Sequence, residues 1–139
     1  KELYQQLTFV DLVPFLEDLV RENPITQLQR HSILHPTCST EKMGDIESLL
    51  ALANTCAEET TLPINRGCCG FAGDRGLLVP ELTASATQFE ADELVNCDPE
   101  AFAYSSSRTC EIGMQRATGR SYGSIALLVL DYLSQVRVN

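Results

Sequence analysis

Six cysteines carry most of the reactive chemistry of this 139-residue chain, and two of them are adjacent. Cys68 and Cys69 lie in PINRGCCGFAGDRG, residues 63–76, where glycine recurs at every third position as Gly67, Gly70, Gly73 and Gly76. A disulfide needs Cα atoms about 4.4–6.8 Å apart, whereas neighbours across a trans peptide sit about 3.8 Å apart, so a bond between these two would be strained. Two thiolates aimed at one polynuclear metal centre avoid that strain, because they reach different metal atoms. A single zinc ion is the other metal reading. Zinc sites usually space their cysteines as CxxC, however, and the chain has no CxxC. Glycine permits tight turns and lets turn amides approach a site with no Cβ in the way; such amides bind anions, iron–sulfur clusters included. The run is GxxGxxGxxG, not GxGxxG, and no Gly-Lys-Ser/Thr comes after it, which argues against a nucleotide phosphate loop.

Whether other thiols reach this loop depends on the elements around it. Phe9, Leu12, Val13, Leu16, Leu19 and Val20 form an amphipathic helical stripe over 8–22, with Thr8 as cap and ENP at 22–24 as stop. HSILHPT (31–37) is a short strand closed by Pro36. STEKMGDIESLLALANTCAEE (39–59) is a helix capped by Ser39 or Thr40, with Ile46, Leu49, Leu50, Ala53 and Cys56 along its apolar face. TTLPIN (60–65) is a second strand, PELTASATQFEADELV (80–95) a helix with Pro80 in its first turn, and EAFAYSSS (100–107) a third strand. TCEIGMQRATG (109–119) is a short helix ending at Gly119, and SYGSIALLVLDYLSQV (121–136) a final apolar helix preceded by a very short strand. The alternation predicts an α/β fold. Its small, mainly parallel sheet of three to four strands carries helices on both faces and comes after an N-terminal amphipathic helix. One domain is expected over 1–139, with helix and linker at 1–24 and the α/β core at 30–139. That length buries a core without disulfide staples.

On this frame Cys38 follows the first strand, Cys68 and Cys69 the second, and Cys110 the third, in the first turn of the next helix. The carboxyl ends of parallel strands share one edge, where open α/β folds bind ligands, so these four thiols are expected to converge. Helix N-termini favour thiolate, which suits Cys38 and Cys110. Cys56 lies on an apolar stripe and is assigned to the core. Cys97, between a helix end and the third strand, belongs at the opposite edge. His35, three residues before Cys38, is a metal ligand or a support for one, against the commoner role of a strand-end histidine bonded to backbone, which is favoured. His31 is assigned to the surface. Asp74, Arg75 and Arg108 flank the cysteines, where the arginines either balance thiolate charge or form ordinary surface pairs with acids.

GCCGFAGDRG, HPTCSTEKMGD, PELTASA and SSRTCEIGMQ together resemble the cysteine-rich CCG domain family, over roughly residues 30–135. That family includes the B subunit of heterodisulfide reductase and the iron–sulfur subunit of glycolate oxidase. The likeness is closest to the C-terminal CCG region of FAD-linked, iron–sulfur oxidoreductases related to D-lactate and D-2-hydroxyglutarate dehydrogenases. It rests on Cys38 thirty residues before the CCG and Cys110 forty-one after it. It implies that Cys38, Cys68, Cys69 and Cys110 are metal ligands, with Gly67, Gly70, Gly73, Asp74, Arg75, Arg108 and His35 lining the site. Many CCG motifs end in CxxC, whereas Glu111, Ile112 and Gly113 succeed Cys110 here, which disfavours the noncubane clusters of heterodisulfide reductase. A four-cysteine 4Fe–4S cluster fits better, with zinc as the alternative. The implied role is electron transfer from a flavin, reduced by a 2-hydroxyacid, to a quinone or protein acceptor. Flavin and ferredoxin-type domains of the same parent chain would be the partners, and FAD would be bound upstream. The chain has no flavin signature, substrate arginine pair or ferredoxin CxxCxxC run, so no residue is assigned as catalytic and the domain alone is not expected to be an enzyme. The rival readings are a structural zinc scaffold and a thiol–disulfide site pairing Cys68 or Cys69 with Cys38 or Cys110.

The net charge of −9, with ten scattered Lys and Arg, argues against a nucleic-acid partner. No stretch of 18 apolar residues provides a transmembrane segment, and the charged start KELYQQLTFVDLVPFLEDLVREN lacks the build of a signal peptide. A cytoplasmic location is expected, with peripheral attachment to the inner face of the cell membrane as a variant. In that reducing setting six cysteines point to metal or redox chemistry. The absence of a starting Met suggests a piece of a larger oxidoreductase.

Overall fold

The computed structural model describes residues 7–135; residues 1–6, and Val136 at the end of the last predicted helix, lie outside them. Helix α1 (Leu12–Glu22) begins at Asp11, whose side chain accepts a hydrogen bond from the Val13 N–H, and not at Thr8. Pro14 explains the later start: it lacks an N–H, and its ring would collide with the carbonyl four residues back if the helix continued. Strand β1 (Leu28–His35) comes next.

The single helix predicted over 39–59 is two, α2 (Cys38–Met43) and α3 (Ile46–Cys56). Gly44 divides them, at φ +79°, in the left-handed conformation that glycine adopts without steric cost. Strand β2 (Ala57–Thr61) starts directly after Cys56, earlier than TTLPIN suggests. It is an edge strand, so its outward Glu58 and Glu59 obey no apolar alternation and give no strand signal in the sequence.

Then come α4 (Arg75–Leu78), α5 (Pro80–Leu94), β3 (Phe102–Ser105), α6 (Arg108–Thr118), β4 (Tyr122–Ser124) and α7 (Ile125–Ser134). The sheet has four strands in the order β2-β1-β3-β4, all parallel. Side chains alternate across it. Leu34 and Tyr104 face α1, α3 and α7, packing with Leu16, Leu49, Leu52, Leu128 and Tyr132. Ile33 and Ala103 face the other way, with Leu94, Met114 and Tyr122. Each fully buried Leu or Ile contributes about 1.5–3 kcal/mol. Because Val13, Leu16 and Val20 lie in the first cluster, α1 is part of the core.

The chain steps from β1 to β2 on one side, then crosses back to place β3 on the other side of β1. That reversal opens a crevice beyond the carboxyl ends of β1 and β3, the place where open α/β sheets bind ligands. Among the described residues no helix is long and apolar enough to cross a membrane.

Candidate metal centre

His35 is the last residue of β1 and is fully buried at that crevice. Its Nδ1 lies 2.9 Å and 3.0 Å from the two carboxylate oxygens of Glu90 on α5, which is also buried. The buried stripe of α5 is Thr83, Thr87, Glu90 and Leu94, helix spacing that aims a carboxylate into the interior. The other ring nitrogen of His35, Nε2, is buried without a hydrogen-bond partner. The sequence favours a backbone-bonded histidine here; instead β1 ends against α5, and the imidazole meets a carboxylate. Ser105, at the end of β3, donates its hydroxyl to the His35 carbonyl at 2.8 Å and ties the two strand ends together.

Cys110 enters from the first turn of α6, and Cys69 from the CCG loop. Their sulfurs are 3.2 Å apart and unbonded, and both side chains are buried. A ligand atom of His35 and the two sulfurs all lie within 4.8 Å of one another. The loop that delivers Cys69 is wedged between two helices. Gly70, at φ +69°, sits so close to α5 that a Cβ would fall 2.6 Å from the Leu82 carbonyl oxygen. On the other side, α6 packs against the loop at Gly113, where a Cβ would stand 3.4 Å from that of Cys69, in ordinary contact. Phe71 is buried against both cysteines, with the Arg116 guanidinium 5.8 Å from its ring centre. The same arginine donates to the Gly76 carbonyl at 3.0 Å.

This packing sets the electrostatics. The hydrogen bond from Cys110 favours the Cys69 thiolate and outweighs its burial, while His35 and the Phe71 amide push the same way. Cys110 is driven up, first by holding its proton toward Cys69 and then by burial. A helix N-terminus favours thiolate, the expectation for Cys110; but two adjacent buried sulfurs do not both ionise, and Cys69 carries the charge. Burial lowers the pKa of His35, but Cys69 and Glu90 together raise it to about 9.

Cys38, the first residue of α2, and Cys68 belong to the same sheet edge but are exposed and stand outside the group of three. Cys38 is near enough for its charge to raise Cys110 further. The Cys68 sulfur accepts instead from the Gly70 N–H at 3.4 Å. Gly70 and Gly73 take the left-handed turn conformation expected of them, at φ +69° and +76°; Gly70 also allows close packing, whereas a Cβ at Gly67 or Gly73 would meet nothing within 4 Å. Asp74 and Arg75 are exposed, and among the described residues neither forms an ion pair. Arg108 pairs with Glu111 at 2.7 Å. Cys56 is a core residue, and Cys97 is half-buried against the second core cluster, outside the group of three. His31, assigned to the surface, is half-buried and bonded to Thr61 at 2.7 Å. Glu90 is the residue that sequence reasoning misses; its phase on the 83–87–90–94 stripe is the signal that could have found it.

Compared with known proteins, the chain matches no family model, no curated protein and no solved structure. What the fold and the cluster define is a doubly wound α/β domain with a buried imidazole and two buried thiols at its topological switch point, an arrangement able to hold a metal ion.

Proposed function

We propose that this domain holds an iron–sulfur cluster of the 4Fe–4S type at the carboxyl edge of its sheet and works as an electron-transfer module. In this reading it receives electrons from a flavin that a 2-hydroxyacid has reduced, in FAD-binding and ferredoxin-type parts of a larger oxidoreductase. It passes them to a quinone or protein acceptor. The observation that carries the reading is the buried group of His35, Cys69 and Cys110 at the switch point.

The residues fit a metal. Two buried, unbonded thiols and an imidazole nitrogen with no partner form a soft donor set that is unsatisfied by itself. Cys69 and Cys110 would hold the group from the protein side, and the exposed rim of Cys38 and Cys68 supplies further thiols. A bound iron–sulfur cluster supplies one-electron transfer. Phe71 keeps water from the buried sulfurs, and the exposed rim leaves a short path to a docked partner. The likeness of GCCGFAGDRG and SSRTCEIGMQ to the CCG family supports the same reading. The test is anaerobic reconstitution, then iron and sulfide analysis, visible absorption and EPR. A brown protein with about four iron and four sulfide per chain is expected for a 4Fe–4S centre. A colourless protein that takes up one zinc overturns it in favour of a zinc scaffold.

The 3.2 Å contact of Cys69 and Cys110 favours a second reading, a reversible disulfide between them. Thiol titration of metal-free protein, with and without reductant, separates the two: a redox site loses two thiols on mild oxidation and regains them.

A further inference from the structure

We propose that His35 is a ligand of this metal centre, through Nε2, and that Glu90 is the residue that positions it. The centre would then be held by Cys38, Cys69, Cys110 and His35, with Cys68 left outside. The inference rests on the reading that the site holds a metal, and it names which of the available donors do so.

A buried imidazole and a buried carboxylate are costly in a protein interior unless each polar atom is satisfied. Both carboxylate oxygens of Glu90 lie within hydrogen-bond distance of Nδ1, yet Nε2 has no partner. That nitrogen belongs to a ring whose ligand atom is within 4.8 Å of two thiols. A carboxylate on Nδ1 holds the proton there, so a metal that displaces the Nε2 proton meets a lone pair that the carboxylate makes a stronger donor. Fixing the ring is all that Glu90 needs to do; it reaches the centre only through His35.

The two exposed cysteines are not equivalent. Cys69 is buried, whereas its neighbour Cys68 is exposed with its sulfur engaged by the Gly70 amide. Cys38 lies three residues beyond His35, at the first position of α2, next to the strand end that holds the imidazole. Three thiolates and one neutral imidazole give the centre one negative charge fewer than four thiolates, which favours the reduced state of a cluster.

The chain has only two histidines, which makes the test specific. Protein labelled with ¹⁵N-histidine in a His31→Gln background carries the label on His35 alone. It is reconstituted anaerobically with iron and sulfide, reduced, and measured by pulsed EPR; a parallel sample is loaded with Co(II) alone. The expected result is a ligand-strength nitrogen coupling that converts from the ¹⁴N to the ¹⁵N pattern. Circular dichroism checks folding; if His31→Gln does not fold, the labelled unsubstituted chain must show the same coupling. Glu90→Gln should bind Co(II) roughly ten- to hundred-fold more weakly and show an altered nitrogen coupling, which a purely structural role would not produce. Cys38→Ser should lose metal, whereas Cys68→Ser should keep both metal and coupling. A cluster that assembles without histidine coupling, or the reverse pattern for Cys38 and Cys68, overturns the ligand set and leaves the iron–sulfur reading standing. Co(II) bound with histidine coupling, but no iron and sulfide retained, upholds the ligand set and removes the iron–sulfur reading. A folded chain that binds neither metal ends both.

Discussion

Cys69 and Cys110 touch at 3.2 Å, yet they reach that point by different routes and carry different burdens. Cys69 bears the charge, and Cys110 is the donor that stabilises it. Removing Cys110 would therefore take away a proposed ligand and also the hydrogen bond that favours the thiolate of its neighbour. Cys110→Ser should lose most bound iron, whereas Cys97→Ser and Cys56→Ala should keep it, measured as iron and sulfide per folded chain after anaerobic reconstitution. Retention by Cys110→Ser together with loss from Cys97→Ser would put Cys97 in the site. Cys56 has a separate signature. It is fully buried among apolar groups, and burial pushes its thiol from 9.0 up to about 12. The folded state thus holds this proton after the unfolded chain has released it. The stabilisation is complete below pH 9.0 and is lost as pH rises toward about 12. Stability of the metal-free chain should fall over that window by up to about 1.4 kcal/mol per pH unit from this group, and Cys56→Ala should flatten that slope in urea titrations at each pH.

At the scale of elements, the site depends on how closely the CCG loop approaches α5 and α6. A Cβ on Gly70 would stand 2.6 Å from the Leu82 carbonyl oxygen and 2.8 Å from the Ala86 methyl, in a left-handed backbone. Overpacking and the left-handed conformation together should make Gly70→Ala cost about 2–4 kcal/mol. Gly67, three residues earlier in the same repeat, has nothing within 4 Å of a Cβ, so Gly67→Ala should change stability by no more than about 0.5 kcal/mol. Urea unfolding of both variants checks the contrast; equal effects would mean that the loop does not lie against α5 as described. Helix α5 itself has a buried face of Thr83, Thr87 and Glu90 before it reaches Leu94. Such a polar stripe wins little from the hydrophobic effect, and the pairing of Glu90 with His35 is what makes its burial tolerable.

For the whole molecule, helices from both halves of the chain close over the sheet. Tyr132 on α7 donates to the Ile25 carbonyl and accepts from the Ile25 N–H, so the end of the chain holds the connection between α1 and β1. The group of His35, Cys69 and Cys110 joins three segments distant in sequence, the end of β1, the CCG loop and the start of α6. A metal bound there binds the folded state and not the unfolded one. Loading at a free concentration of about 100 times Kd should raise stability by about 2.7 kcal/mol, read as a higher melting temperature in anaerobic calorimetry. An unchanged melting temperature at saturating metal would mean that the three segments do not share it.

The sequence by itself determines a great deal of this protein. Apolar periodicity, the stop signals at Pro24 and Gly119 and the start signal at Pro80 are local properties, so the helices and the α/β class are legible without coordinates. Each of Cys38, Cys69 and Cys110 comes after a strand, and parallel strands have one carboxyl edge, so their common edge is legible too. Gly44 is visible as well, but whether a glycine interrupts a helix depends on how the residues beyond it pack, and here it separates α2 from α3. The start of β2 is not legible, because Glu58 and Glu59 of this edge strand are both exposed and break any apolar alternation. Only the tertiary structure decides that Cys69 turns inward while Cys68 turns out, and that His35 meets Glu90, fifty-five residues away. Those facts depend on how α5 lies against the end of β1, a long-range packing geometry that no local spacing encodes.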